Sequence, residues 1–372
     1  MTAADSVLIV GGGIAGMTLA VGLSDAGIRA EIVEANPDWT VLGVGISMQG
    51  HALRALKALG LLDAVVAEGF GYSFFKACDA AGNVTGTVDL PRLAGPGYPA
   101  TMGIMRQALH DALKEAVARH DVPVRLGASI AALDDDGERV GARMTDGSAG
   151  TYDLVVGADG AYSKVRSMLF GDGVKAPYTG QAVWRATVSR PPGIEARYSY
   201  FGPRHKAGFN PVSADRMYIY LIQNLPEWTR YPEDRLPEVM RELLSDFGGH
   251  MARAREEVTE PAQIVYRPIT SLILPAPWHR GRVLLIGDAA HTTTPHMASG
   301  AALAIEDSVV LAELLAADRP LADVLEDFMT RRFERCRMTV ESSLLLGEWE
   351  KTPDDPAADP VGVFDRSVRM LA

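Results

Sequence analysis

The hydrophobic pattern at the start of the chain predicts a strand, a helix and a second strand. An apolar run at residues 7–10 precedes a glycine-rich turn, and helical periodicity then covers residues 17–26. A second apolar run follows at residues 30–34. This order is that of a βαβ unit, so we expect a parallel sheet to begin the fold.

The pattern farther along the chain predicts more helices and short strands. Helical periodicity recurs in residues 52–61, 106–119, 236–247, 299–317 and 321–349. Strand patterns occupy residues 122–126, 131–144, 152–157 and 283–286. The first two of these contain turn signals that favour a β-meander, and the last two have the apolar character of buried strands. Residues 352–360, rich in proline and acidic side chains, predict a mobile linker before a short terminal helix.

Between residues 182 and 273 the alternation becomes β-rich around one helical segment, before a buried strand returns. We therefore expect an α/β protein whose Rossmann-like dinucleotide-binding domain is discontinuous. Its two parts are residues 1–181, which include the small meander, and residues 274–350, which end in a long helix. An inserted β-rich α+β domain for the substrate occupies residues 182–273, and residues 351–372 form a tail.

Composition narrows the classes of partner. With 372 residues the chain is long enough for two cores, and its net charge of −11 would repel nucleic acid and anionic lipid. Its two cysteines, Cys78 and Cys336, suggest neither a disulfide framework nor a metal site. The sequence has no export signal and no apolar stretch near the roughly 20 residues that span a bilayer. We expect a cytoplasmic protein without stable membrane association.

The glycine-rich turn predicts a dinucleotide site. It follows a strand and opens a helix, so its glycines can form a tight turn, and the helix N-terminus can bind a pyrophosphate. A carboxylate ends the second strand 18 residues after Gly16, where it can accept hydrogen bonds from both ribose hydroxyls. This motif is compatible with FAD or NAD. Its residues are Gly11, Gly13, Ile14, Ala15, Gly16 and Glu34.

Two later segments distinguish these cofactors. The first reads Gly157-Ala-Asp159-Gly160, and the second reads Gly287-Asp288-Ala-Ala-His291, followed by Pro295 and Gly300. Together with the glycine turn, they resemble the FAD-dependent aromatic hydroxylases, typified by the para-hydroxybenzoate, salicylate and 6-hydroxynicotinate hydroxylases. The order and spacing of the three motifs match that family over nearly the whole chain. The resemblance implies that FAD is the bound cofactor.

The resemblance also implies roles for individual residues. Asp288 would bind the ribityl chain, Asp159 would contact FAD and the incoming nicotinamide cofactor, and Arg106 would reach the pyrophosphate or ribityl chain. Backbone N–H groups at the start of the predicted helix at residues 299–317 would stabilise negative charge on the flavin. The family's Gly-Gln-Gly reads Ala298-Ser-Gly300 here, so the glutamine contact is lost or replaced by Ser299. The further residues expected around FAD are Gly45, Gly287, Pro295, Gly300 and Ala301.

Candidates on the substrate side are less specific. We expect Tyr218 and Tyr220, which share one face of a predicted strand, to line the pocket with Pro295 and His296 beside the flavin. A tyrosine pair on one face is also compatible with core packing. The other candidates are Ser47, His51, Arg185, Tyr198, Tyr200, Asn210 and Met297. Arg185, in a Trp-Arg pair, would attract a carboxylate substrate or form a structural ion pair, whereas His291 has a structural place in the family.

The function implied is hydroxylation of a small aromatic or heteroaromatic substrate, such as a phenol, hydroxybenzoate or hydroxypyridine. NADH or NADPH would act as a transient co-substrate, and dioxygen would react through a flavin C4a-hydroperoxide, in a monomer or homodimer. A flavin epoxidase, Baeyer–Villiger or polyketide-tailoring monooxygenase shares all three motifs. A non-catalytic dinucleotide-fold protein and an NAD-dependent dehydrogenase are alternatives from other classes, but neither explains the Gly287-Asp288 segment.

Overall fold

The computed structural model describes residues 2–41, 43–352 and 355–371. The helices are α1 Ile14–Asp25, α2 Gly50–Ala58, α3 Leu62–Ala67, α4 Arg106–Arg119, α5 Lys164–Phe170, α6 Leu236–Leu243, α7 Gly249–Glu256, α8 Gly300–Leu315, α9 Leu321–Lys351 and α10 Pro360–Leu371. The strands are β1 Ser6–Val10, β2 Arg29–Glu34, β3 Gly45–Met48, β4 Phe70–Tyr72, β5 Phe74–Asp79, β6 Val84–Asp89, β7 Thr101–Met105, β8 Val124–Leu126, β9 Ile130–Asp135, β10 Val140–Met144, β11 Ala149–Tyr152, β12 Leu154–Gly157, β13 Tyr178–Ser189, β14 Arg197–Phe201, β15 Lys206–Pro211, β16 Arg216–Asn224, β17 Ile264–Thr270, β18 His279–Arg280 and β19 Val283–Leu285.

The first sheet confirms the predicted βαβ start. Its order is β18-β19-β12-β1-β2-β8, and every pairing is parallel except β18 with β19. All five residues of β1 are buried, as expected for an inner strand of a parallel sheet. Because β19 follows the β-rich insert and pairs with β12, the dinucleotide domain is discontinuous in sequence.

A second sheet has seven strands in the order β17-β13-β16-β15-β14-β5-β6. Most of it comes from the predicted β-rich segment, but the sheet begins at Tyr178 and also takes β5 and β6 from within residues 1–181. Helices α6 and α7 pack against one face, through Met240 and Met251 among others. We call this the outer face, and we call the opposite face, which is directed toward β3 and the glycine turns, the inner face.

Two small three-stranded sheets complete the β-structure. The order β11-β10-β9 is the predicted meander, and the order β3-β7-β4 connects the two large sheets. Helix α4 has the predicted bounds. The predicted helix at residues 52–61 ends earlier, because Leu59 is the C-cap and Gly60 has a φ of 66°, and α3 then begins a new helix.

The long helix α9 carries the chain to the terminal helix α10, which packs against it. The predicted linker includes Pro353 and Asp354, which lie outside the described residues, but the predicted terminal helix is confirmed. In the part of the chain that the structure describes, no helix has both the length and the apolar character needed to cross a bilayer.

Candidate active site

The glycine turn after β1 brings three chain segments into close contact. Gly11 has a φ of 113°, and a Cβ on it would lie 2.5 Å from the carbonyl oxygen of Ala158. Gly16 packs directly on the Gly11 carbonyl, where a side chain would overlap it. A Cβ on Gly13, by contrast, would have nothing within 4 Å. The turn is thus closely packed on one side and open at the N-terminus of α1, where a pyrophosphate would bind.

Glu34, at the end of β2, lies beside this turn. Its carboxylate accepts hydrogen bonds from the backbone N–H groups of Gly12 and Asn36, both at 2.7 Å. The Trp39 indole donates to the Gly12 carbonyl at 2.9 Å. These bonds hold the carboxylate at the position expected for ribose recognition, while each oxygen retains capacity to accept another hydrogen bond.

Asp159 follows β12 in the second loop. Its Oδ2 accepts from the backbone N–H groups of Lys164 and Val165 at the start of α5, at 2.7 and 3.1 Å. Its Oδ1 is buried and has no hydrogen-bond partner among the described residues. A buried carboxylate oxygen usually has a donor, so this atom fits a loop that contacts a ligand.

Arg166 connects the second and third loops. Its guanidinium donates to the carbonyl oxygens of Ala161 and Ala289 at 2.7 and 2.9 Å. Burial lowers the pKa of Arg166, while Asp159 and Asp288 oppose that effect. Because the group bonds to backbone on both loops, we assign it a structural role.

Asp288 lies on the third loop beside the start of α8, where a Cβ on Gly300 would be 4.0 Å from its Oδ1. Its depth in the protein raises the pKa of its carboxyl group, although the positive charges of His291, Arg106 and Arg166 oppose this. The residue is nevertheless exposed, so it remains accessible from the cofactor side. Binding of the ribityl chain by this side chain stays a prediction, with which its exposure agrees.

The segment that replaces Gly-Gln-Gly adopts an unusual backbone. Ala298 has a φ of 49°, in the left-handed region. The buried Ser299 hydroxyl donates to the Met297 carbonyl at 3.0 Å, so it is bonded within the loop. Ser299 therefore does not replace the glutamine contact in this conformation.

A buried cluster of charged side chains, centred on Asp307, packs against the loop that follows β19. Asp307 accepts from the Gly287 N–H at 2.9 Å, from His291 Nε2 at 2.6 Å and from Arg332 Nε at 2.7 Å. Burial opposes the charge on both members of the His291–Asp307 pair, but their mutual attraction raises the pKa of His291 and lowers that of Asp307. His291 is fully buried in this cluster, in keeping with a structural place rather than proton transfer to a substrate.

Arg106 and Gly45 border the same region from α4 and β3. The exposed Arg106 side chain lies against Gly43, where a Cβ would be 2.9 Å from Arg106 Cδ. Gly45 packs on the ring of Tyr218, which a side chain there would overlap. The predicted cofactor residues thus come together at one end of the first sheet, beside the inner face of the second sheet.

A chain of hydrogen bonds joins the inner face to β3 and β4. Asn210 Nδ2 donates to Ser47 Oγ at 2.5 Å, and the Ser47 and Tyr218 hydroxyls are 3.1 Å apart. The Tyr72 hydroxyl donates to Asn210 Oδ1 at 2.6 Å. Burial raises the pKa of Tyr72 well above its ordinary value, so this phenol stays protonated. Tyr220, on the same face as Tyr218, bonds with the Ser199 hydroxyl at 3.1 Å.

The candidates Tyr198 and Tyr200 are wrong, because both lie on the outer face in the core beneath α6 and α7. Tyr198 stacks on Phe209 with ring centroids 4.7 Å apart, and Trp184 stacks on Tyr266 at 4.0 Å. Alternation along β14 therefore places Arg197 and Ser199 on the inner face instead.

His296, beside Pro295, is oriented toward α9. Its Nδ1 bonds with the Thr294 hydroxyl at 2.8 Å, and its Nε2 lies 3.3 Å from Glu350 Oε2. Glu350 also pairs with Lys206 at 2.7 Å, and this charge helps to lower the pKa of Glu350 to about 2 although burial opposes the shift. With 1% of its side chain exposed, His296 does not reach open space on the inner face. Its direct contact with a substrate stays a prediction without geometric support.

The terminal helix α10 covers the edge of the inner face nearest β5. Phe364 makes an edge-to-face contact with Phe75, with centroids 6.1 Å apart. A cavity of about 30 Å³ lies between α10, Gln49, His51 and Ser299, and its other lining is largely apolar. Burial lowers the pKa of His51 to about 4, so this side chain is neutral near pH 7.

Sequence analysis missed Tyr72, Phe75 and Arg197. They belong to β4, β5 and β14, and no local motif marks any of them. Only the strand order of the seven-stranded sheet and its contact with β3 and β4 bring them close to Asn210 and Tyr218.

The sequence comparisons agree with this geometry. A family model described as "FAD binding domain", FAD_binding_3, matches residues 5–332. The chain belongs to this family. It is similar to "Aurachin C monooxygenase/isomerase" of Stigmatella aurantiaca, with 33% identity over 93% of this chain and 90% of the relative. It is also similar to "2-heptyl-3-hydroxy-4(1H)-quinolone synthase" of Pseudomonas aeruginosa, with 32% identity over 93% of this chain and 90% of the relative.

Among solved structures, Klebsiella pneumoniae HpxO complexed with FAD and uric acid has a TM-score of 0.85 and 23% identity. The match covers 98% of this chain and 92% of that one, and it shows that the fold is shared. The family and the relatives establish that this FAD_binding_3 member is an FAD-dependent monooxygenase, an oxidoreductase of the class whose members act on aromatic or heteroaromatic compounds. The predicted membership of the FAD-dependent aromatic hydroxylase family is therefore confirmed.

Proposed function

We propose that this protein hydroxylates a small aromatic or heteroaromatic ring, with NADH or NADPH as reductant and dioxygen as oxidant. One observation carries the proposal: the segments expected to bind the cofactor lie beside a hydrogen-bonded set of hydroxyl groups at the inner sheet face, which the buried Asn210 amide orders. Relatives named for reactions on a quinolone and a solved structure with bound uric acid agree with a ring-shaped substrate.

The residues of the loops fit FAD. The open space at Gly13 would admit the pyrophosphate at the N-terminus of α1, Glu34 beside the glycine turn would accept from a ribose, and the exposed Asp288 would bind the ribityl chain. The first amides of α8, at Gly300 and Ala301, would face the flavin ring, where a helix N-terminus favours negative charge. When bound, FAD supplies the redox chemistry, accepting hydride from the nicotinamide and activating dioxygen.

The inner face would orient the substrate. Tyr218, Asn210 and Ser47 form one hydrogen-bonded group, in which the fully buried Asn210 amide donates to both hydroxyls. The half-buried Ser47 hydroxyl is the member that would bond to a ring hydroxyl or ring nitrogen. Tyr72 holds the Asn210 carbonyl oxygen, so the amide orientation is fixed. A buried polar group of this kind rejects analogues that leave its members unpaired, which makes it a source of specificity.

Aerobic turnover with a panel of ring compounds tests the proposal. Hydroxybenzoates, hydroxypyridines and 4-quinolones would be incubated with FAD-loaded protein and NADH or NADPH, and products would be analysed by mass spectrometry. We expect one compound to accelerate NAD(P)H oxidation and to gain one oxygen atom. An FAD-loaded protein that oxidises NAD(P)H with no oxygenated product from any ring compound would contradict the proposal.

A further inference from the structure

Arg197 is a cation on the inner face that pairs with no carboxylate among the described side chains. It is half-buried at the start of β14, and its Nε is buried without a hydrogen-bond partner. Among the side chains that the structure describes, its guanidinium makes neither a hydrogen bond nor an ion pair. It stacks on the ring of Phe75, whose centroid is 4.6 Å from the guanidinium carbon.

Many other arginines in this acidic chain pair with a carboxylate, as Arg204 does with Asp246 and Arg337 does with Glu334. The charge of Arg197 acts on Lys206, and Lys206 itself pairs with Glu350 at 2.7 Å, so that carboxylate is already engaged. Partial burial of a cation without an anion is unfavourable. The missing anion is therefore to be sought in a ligand.

The position of Arg197 relates it to the polar group of the inner face. Tyr198 pairs with Phe209, so Arg197 comes opposite Asn210 on the neighbouring strand, with Cα atoms about 5 Å apart in such pairings. Its charge also acts on the Tyr72 phenol, which bonds to Asn210. A cation and a hydroxyl–amide group thus lie on adjacent strands of the inner face.

We propose that Arg197 binds the carboxylate of a ring substrate, so that the preferred substrate of this protein is an aromatic or heteroaromatic acid. This inference rests on the proposed function and names the substrate class for the same site. The guanidinium fork suits a carboxylate through two parallel hydrogen bonds, and stacking on Phe75 restrains the plane of the fork.

Arg185 is not assigned to this role, although it also lies on the inner face without a hydrogen bond or ion pair among the described residues. It is on β13, opposite Tyr220, and burial together with the charge of Arg106 lowers its pKa, whereas Tyr218 opposes the shift. Its proximity to Arg106 places it at the cofactor end of the face. Strands β16 and β15 separate β13 from β14, which carries Arg197.

Ligand binding to the FAD-loaded protein tests the inference through acid and amide pairs of equal size. The probes are 4-hydroxybenzoate with 4-hydroxybenzamide and 4-hydroxyquinoline-2-carboxylate with its amide, followed by the change in flavin absorbance. We expect at least one acid to bind at least about tenfold more tightly than its amide. In Arg197→Gln that acid should lose about tenfold or more in affinity while the amide is unaffected, and Arg197→Lys should retain part of the difference.

Arg204→Gln is the matched control, because Arg204 is exposed on the turn between β14 and β15 and should leave the ratio unchanged. Equal binding of acid and amide, no binding of any acid, or an unchanged ratio in Arg197→Gln would overturn the inference. If neutral rings are bound and hydroxylated, the proposed function stands and only the acid preference fails. A protein that binds no FAD overturns both.

Discussion

At the cofactor loops, function is built from backbone, whereas on the inner face it is built from side chains. Gly11, Gly13 and Gly16 shape the first loop, and Glu34 and Asp159 bond to backbone N–H groups of the glycine turn and of α5. On the inner face, Asn210, Tyr218 and Tyr72 come from three strands of two sheets. A backbone site tolerates little variation in sequence, whereas a side-chain site can change its ligand by single substitutions.

The difference explains why the relatives share a cofactor but bear the names of different compounds. Glycines with positive φ and close backbone contacts have few alternatives, so we expect such a loop to accept few substitutions. A wall of side chains on a rigid sheet has no such constraint. The comparison predicts that substitutions in the loops affect the cofactor and that substitutions on the inner face affect the substrate.

The largest effect is expected from Asp288→Ala. Removing the carboxylate deletes the expected ribityl contact, so FAD affinity should fall about 100-fold or more. The measurement is FAD titration followed by absorbance, with the exposed Asp172→Ala as the control. Full flavin content in Asp288→Ala would refute the assignment of the ribityl site.

Glu306 should stabilise the packing of helix α10, which covers one edge of the inner face. Burial raises the pKa of Glu306, but hydrogen bonding from Arg335 and the charges of Arg332 and Arg335 outweigh it and bring the pKa to about 2. Arg335 also donates to the Met370 and Leu371 carbonyl oxygens at the end of α10. Glu306→Gln should therefore lower the free energy of unfolding by about 3 kcal/mol at pH 7.

The pH dependence of that difference has a defined sign. A carboxylate whose pKa is lower in the folded state stabilises the fold above its ordinary pKa of 4.5, and it loses that contribution as the pH falls toward 2. The gap in unfolding free energy between wild type and Glu306→Gln should narrow below about pH 5. Exposed Glu334→Gln is the control, with an expected effect below about 0.5 kcal/mol. If the difference in unfolding free energy did not change with pH, it would not arise from the charge of Glu306.

Substitutions at two glycines of the first loop should separate effects on fold stability from effects on FAD binding. Gly11→Ala places a methyl at a φ of 113° and 2.5 Å from the Ala158 oxygen, so it should destabilise the fold by about 1–3 kcal/mol. Gly13→Ala meets no atom within 4 Å, so it should keep the melting temperature but weaken FAD binding about tenfold. Unaltered FAD affinity in Gly13→Ala would mean that the pyrophosphate does not bind at this turn.

The smallest effect is expected on the inner face. Tyr218→Phe removes one hydroxyl from the polar group, so kcat/KM for the ring substrate should fall about tenfold with FAD affinity unchanged. Tyr198→Phe, on the outer face, is the matched control and should leave turnover as in wild type. Equal effects of the two substitutions would mean that the two faces have been assigned incorrectly.

The local motifs of this chain could be predicted from sequence, because each depends on neighbouring residues. The glycine turn, the bounds of α4 and the meander follow from short-range patterns. The inner face could not be predicted in the same way, because a shift of one residue exchanges the faces of a strand. Tyr198 and Tyr200 were therefore named as pocket candidates although they lie on the outer face, and Arg197 was missed. The addition of β5 and β6 to the seven-stranded sheet depends on long-range pairing, which no local signal specifies.

The most direct test of the account is the absorbance spectrum of the purified protein during titration with FAD, for wild type and Gly13→Ala together. The account predicts saturable binding of one FAD per chain by the wild type and markedly weaker binding by a variant that melts at the same temperature. A wild-type protein that binds no FAD, or a variant that binds it equally well, would contradict the claim that these loops form the cofactor site.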